Sequence, residues 1–141
     1  MKILTVLLIS LLLFNSGCFI LNIKNSVVGT PVHHLDSSEN VQVRFFDAGY
    51  SGDVFDRVLE WLKKQNEVSV YKKKYPNKIY ARGFGSIYLH CIDTTEVGFY
   101  FENISDGKLQ VKITSLNYEL AEFLMEEKIT PLINNFNPSE N

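Results

Sequence analysis

Cysteine occurs only twice in the 141 residues, proline four times, glycine eight times and histidine three times. Two cysteines cannot build the disulfide framework of a small secreted domain. So little proline and glycine excludes collagen-like and low-complexity chains. The chain also lacks a glycine-rich phosphate loop, a nucleophile-elbow pattern and any metal-ligand spacing. Neither sign of charge is in surplus: 14 Lys and Arg against 16 Asp and Glu leave −2. That balance argues neither for a nucleic-acid binder nor for an acidic tail. The length fits one domain with one modest core, and it is too short for a two-domain enzyme, a solenoid array or a polytopic membrane protein.

Apolar residues are what the chain has in quantity, 45% of it, and they are unevenly placed. Residues 1–23 hold 16 of the 64, residues 24–40 hold four, and residues 41–141 hold the other 44. Lys2, the apolar run from Ile3 to Phe14 and the small residues Ser16 and Gly17 describe a secretory signal. The first charge stays on the cytoplasmic side while the run enters the bilayer. Ser16-Gly17-Cys18 resembles the lipobox of bacterial lipoproteins. The resemblance implies a diacylglycerol on the Cys18 thiol and cleavage just before it. Asn15 departs from the aliphatic residue usual in that pattern. Phe19, rather than Asp, follows the cysteine, which points to the outer membrane, facing the periplasm, in a Gram-negative cell. Two other outcomes stay open. Ordinary cleavage at Gly17 would release a soluble domain, and the stretch from Ile3 to Ile23 has about the 20 residues an uncleaved inner-membrane anchor needs.

The expected organisation is a signal peptide over 1–17, a lipid-attachment site and flexible tether over 18–40, and one domain over 41–137. Residues 24–40 are polar and carry no helix or strand period. His33 and His34 project in different directions and have no ligand at metal spacing, so no metal is expected. With Cys18 acylated, Cys91 has no internal disulfide partner. Alternation sets Cys91 beside Ile87 and Leu89 as a small core residue, with His90 on the opposite face and thus no base oriented for thiol catalysis.

Periodicity in the body predicts an α+β fold. Val41 to Phe46 alternates as a half-buried strand. Val54, Phe55, Val58, Leu59, Trp61 and Leu62 recur at helical spacing, with Ser51 or Asp53 as the cap and Lys63 and Lys64 at the end that favours cations. Strands are expected over 67–71, over 79–92 with a bulge or close packing at Gly83 and Gly85, and over 98–104 paired with 108–114 across Ser105-Asp106-Gly107. Helical spacing returns from Tyr118 to Ile129. Thr130-Pro131 then reads as a cap and first helical residue, so that the helix kinks or restarts. The order β-α-β-β-β-β-α gives a two-layer sandwich, one antiparallel sheet of four or five strands under two helices.

The stretch Val58-Leu59-Glu60-Trp61-Leu62, the strand from Ile79 to Gly85 and the element order resemble an uncharacterised domain of exported bacterial proteins with a TATA-box-binding-protein-like fold. The resemblance covers about residues 41 to 136 and implies that fold. It brings no activity to any residue, and the namesake's DNA binding does not transfer outside the cytoplasm.

Candidate chemistry is sparse. Asp53 with Asp56, and Glu122 with Glu126, lie on polar helix faces, where solvated charge is the default. The unusual feature is segregation. Lys63, Lys64, Lys72, Lys73, Lys74, Lys78 and Arg82 face only Glu67 across 20 residues, while residues 83–141 carry nine acids against three lysines. Tyr71, Tyr75 and Tyr80 interleave with the basic group. One reading is a contact surface for anionic envelope material or an acidic partner protein; the other is a solvated loop beside a helix end. The expected function is a non-catalytic binding domain at the membrane without cofactor, metal or nucleic acid. A periplasmic immunity or inhibitor protein is the alternative, and a small envelope enzyme a third.

Overall fold

The computed structural model describes residues 35–36, 40–47, 49–89, 95–104 and 107–135. The export segment, Cys18, His33, His34 and Cys91 lie outside them. Five strands, β1 (Val41–Phe46), β2 (Ser69–Lys74), β3 (Lys78–Arg82), β4 (Glu96–Asn103) and β5 (Leu109–Ser115), make one antiparallel sheet in the order β1-β5-β4-β3-β2. Helix α1 (Ser51–Lys64) sits between β1 and β2 in the chain. After β5 come α2 (Tyr118–Phe123), a π-helical stretch (Leu124–Ile129) and α3 (Thr130–Asn134). This is the α+β order that the periodicity predicts.

Both helical elements cover one face of the sheet. Strand alternation turns Val97, Phe99 and Phe101 of β4 and Leu109, Val111 and Ile113 of β5 toward them. Val58 and Leu62 of α1 and Leu120, Leu124 and Ile129 of the C-terminal helix meet these residues, all at 0% exposure. Over the other face, here the outer face, the described residues place only the helical pair Leu35 and Asp36.

Four local expectations are corrected. First, neither Ser51 nor Asp53 caps α1. The cap position is Tyr50, extended at φ −102 and ψ 138, and the Ser51 N–H donates instead to Asn103 Oδ1 of β4 at 2.9 Å. A side chain from the sheet thus satisfies an open end of the helix. Second, the strand from Ile79 does not run to Ile92. It stops at Arg82, because Gly83 takes φ +88 and lies so close to the Glu67 carbonyl that a Cβ would sit 2.2 Å from its oxygen. The chain leaves the sheet there and buries Phe84 in the core. Third, Thr130 is no extended cap. It keeps φ −59 and ψ −49, and its N–H reaches back to Met125 O. The widened π turns carry the chain past Pro131, which has no N–H and whose ring would crowd a tighter ladder. Fourth, β1 faces the other way from its hydrophobic alternation. Val43 and Phe45 pair with Lys112 and Gln110 on the outer face, and Gln42 and Arg44 turn to the helix side. Arg44 reaches Glu126 and Thr130 there, and Phe46 rather than Phe45 is buried.

Candidate functional site

The register of β2 to β5 builds the outer face from alternate residues. Lys74 pairs with Lys78, Lys72 with Tyr80, and Ser69 with Arg82, after a bulge between Val70 and Lys72. Lys78, Tyr80 and Arg82 then pair with Tyr100, Gly98 and Glu96, and β5 adds Lys112 beside Tyr100. The basic segment of the sequence is therefore split. Lys72, Lys74, Lys78 and Arg82 share the outer face. Lys73 pairs with Ile79 and points to the helix side of this edge strand. Lys63 and Lys64 end α1 in the other layer, Lys64 paired with Glu60 at 2.9 Å. The lysines at 72–74 belong to a strand that starts and ends later than the span 67–71, and not to a loop.

Tyrosine rings floor this face. Tyr80 and Tyr100 meet edge to face at 6.0 Å and 87°, and Tyr71 lies 6.4 Å from Tyr80. Lys112 and Lys78 stand 4.8 and 5.1 Å from the Tyr100 ring centre. Lys72 and Arg82 take the same posture over Tyr80 and Tyr71. Such cation–π contacts hold the charges over the aromatic floor without neutralising them. Gly98 makes the arrangement possible: a Cβ there would lie 2.8 Å from the Tyr100 ring and 2.9 Å from Thr114 Oγ1. The ring lies back over the space the glycine leaves.

Asp36 is seated on this floor. The Tyr100 and Tyr80 hydroxyls donate to its Oδ1 at 2.7 and 2.9 Å, and Lys78 Nζ stands 3.4 Å from both carboxylate oxygens. Its neighbour Leu35 is fully buried. Both residues fall in the span that the sequence suggests is a flexible tether, and at these two positions the chain lies against the sheet. Burial opposes ionisation of Asp36, but the Tyr100, Tyr80 and Lys78 contacts outweigh it and hold the carboxyl below its ordinary range. Burial, then the hydrogen bond to this carboxylate, pushes the Tyr80 phenol up to about 12. Tyr100 is raised for the same leading reason, with Thr114 acting against it.

Toward the turn between β2 and β3 the floor opens into a pocket of about 370 Å³ lined by Lys74, Lys78 and Lys112 with Asn77, Tyr100 and Glu102 among its walls. At the other end Tyr71 Oη and Glu96 Oε2 are buried with no hydrogen-bond partner among the described residues. Burial raises Glu96 against the opposing effects of Tyr71 and Arg82. Five bases and three acids (Asp36, Glu96 and Glu102) thus share the face. The helix layer is the reverse, with seven acids in its helical segments against four bases, Arg57, Lys63, Lys64 and Lys128. Asp53, Asp56 and Glu122 are exposed there, and Glu126 is engaged by Arg44.

Sequence order hides three members of the site. Tyr100 and Lys112 are distant in the chain from the basic segment and join it only through the sheet order, and Asp36 stands in a segment without period. The alternation of Tyr100 and Lys112 with buried neighbours is the one signal that marks them as outward. No known protein family matches the chain, and no curated protein or solved structure is significantly similar to it.

Proposed function

We propose that the protein is an exported binding domain, held at a membrane by an acyl group on Cys18, whose outer sheet face takes phosphate-bearing head groups. The observation that carries this reading is the gathering of Lys72, Lys74, Lys78, Arg82 and Lys112 on one face over a tyrosine floor. Each basic residue near an anionic bilayer contributes about 1 kcal/mol of attraction. Tyrosine suits the same boundary, being apolar in its body and polar at its tip. The export half rests on Lys2, the run from Ile3 to Phe14 and Ser16-Gly17-Cys18. A short tether then keeps the face within reach of the surface, and binding rather than catalysis is the role.

The test uses the anchored protein, reconstituted in vesicles of phosphatidylcholine alone or mixed with phosphatidylglycerol. Amine-reactive footprinting read by mass spectrometry is expected to show Lys72, Lys74, Lys78 and Lys112 protected on the mixed vesicles and released by salt. Lys63 and Lys128 should react alike on both. Equal reactivity of the face lysines on the two vesicle types would overturn the face. Cys18→Ser should abolish uptake of labelled palmitate and release the chain from membranes. Retention without label would favour the uncleaved helix.

A further inference from the structure

We propose that Tyr80, Tyr100 and Lys78 form a recognition site for a single phosphate or carboxylate group of a ligand, and that Asp36 is the chain's own occupant of it. This deepens the reading of the outer face as anion-binding and rests on it.

The donors belong to the sheet, not to the segment they hold. Lys78 and Tyr80 come from β3 and Tyr100 from β4, the Tyr100 ring settled over Gly98 and its hydroxyl 3.5 Å from Thr114 Oγ1. They converge on one acceptor: two hydroxyls meet the same Oδ1, and one ammonium stands over both oxygens. Tyr80 is 3% exposed, so its hydroxyl needs an acceptor whoever supplies it. Asp36 itself keeps a side chain 43% exposed, open to exchange with an oxyanion from solution. Lys78 and Tyr100 also wall the adjoining pocket, where Lys74 and Lys112 add positive charge beside the cradle. Among the described residues Lys112 makes no ion pair, and its ammonium stands over the Tyr100 ring. A carboxylate in the cradle leaves this second charge unused, whereas a phosphate has oxygens left over for it.

An intramolecular occupant lowers the apparent affinity for any external one by the fraction of time the site is open. A site open less than about a tenth of the time gains about tenfold or more when the occupant is removed. The measurement is calorimetric titration of the full chain, in neutral detergent, with inorganic phosphate and separately with acetate. Asp36→Ala, which leaves no acceptor in the cradle, is expected to bind one of them about tenfold more tightly than wild type, and the stronger ligand identifies the preferred oxyanion. Alkaline absorbance titration of the same variant reports the contact itself, since the Tyr80 phenol should fall below about 12 once the carboxylate is gone, with burial alone still holding it up.

Glu102→Gln is the control. It removes a negative charge from the pocket wall without touching the cradle, and its gain should be much smaller. Adding Tyr80→Phe and Tyr100→Phe to Asp36→Ala should erase the gain. No gain for either ion in Asp36→Ala, an equal gain in Glu102→Gln, or a gain that survives loss of both hydroxyls would each overturn the proposal. These results are separable from the vesicle footprint. A footprint without a gain keeps the basic face and removes the occupant, and a gain without a footprint keeps the cradle and removes head groups as its ligand.

Discussion

Phe45 is 59% exposed and Phe46 6%, although they are adjacent in one strand and carry the same side chain. Which one faces the core follows from register, because a one-residue shift exchanges the two faces. Phe46→Ala should therefore cost about 3–5 kcal/mol through transfer and cavity terms, and Phe45→Ala less than about 1 kcal/mol. Urea denaturation of the two variants checks this, and a larger loss for Phe45→Ala would mean that β1 sits in the opposite register. The alternation of Val41, Val43 and Phe45 suggests the wrong face because period alone cannot see Arg44 reaching Glu126 and Thr130. Asp36 is invisible in sequence for a related reason: its three partners come from strands 42 or more positions away.

The ends of elements are where local signals were least informative, and long-range contacts decide them. The α1 periodicity is legible because its apolar stripe is unbroken from Val54 to Leu62, and the hairpin from β4 to β5 because Gly107 closes a turn between two alternating runs. The start of α1 is another matter. Ser51 is a good capping residue by type, yet it is 2% exposed inside the helix, and Asn103 reaches its N–H from the sheet. Asn103→Ala should cost about 1 kcal/mol, the usual price of a lost cap, and speed hydrogen exchange in the first turn of α1. Asn103→Asp keeps the acceptor and adds a charge favoured at a helix N-terminus, so it should retain the stability. Equal loss in both variants would show that the contact is incidental. Asn117 caps α2 by the local route, accepting from Leu120 N–H at 3.0 Å, which a residue three places away makes legible.

Across the whole molecule, the two faces of the sheet divide the work. The helix-covered face holds the hydrophobic core, and the outer face holds the charges and phenols. Substituting Lys72, Lys74, Lys78 and Lys112 together by Gln should thus cost no more than about 2 kcal/mol, each being a surface change. A circular-dichroism denaturation curve reads this, and collapse of the fold would show that the face is part of the core's support. The fold class was legible because it depends on element order. The site was only half legible, because sheet order brings Lys112 to Lys78 and carries Lys63 and Lys64 away. This sidedness also bears on how the body would arrive. A basic outer face and an acidic helix layer give it an electric dipole along the sheet normal. Near a negatively charged surface such a body feels a torque as well as an attraction, so it turns its sheet toward that surface before contact, and docking begins already oriented.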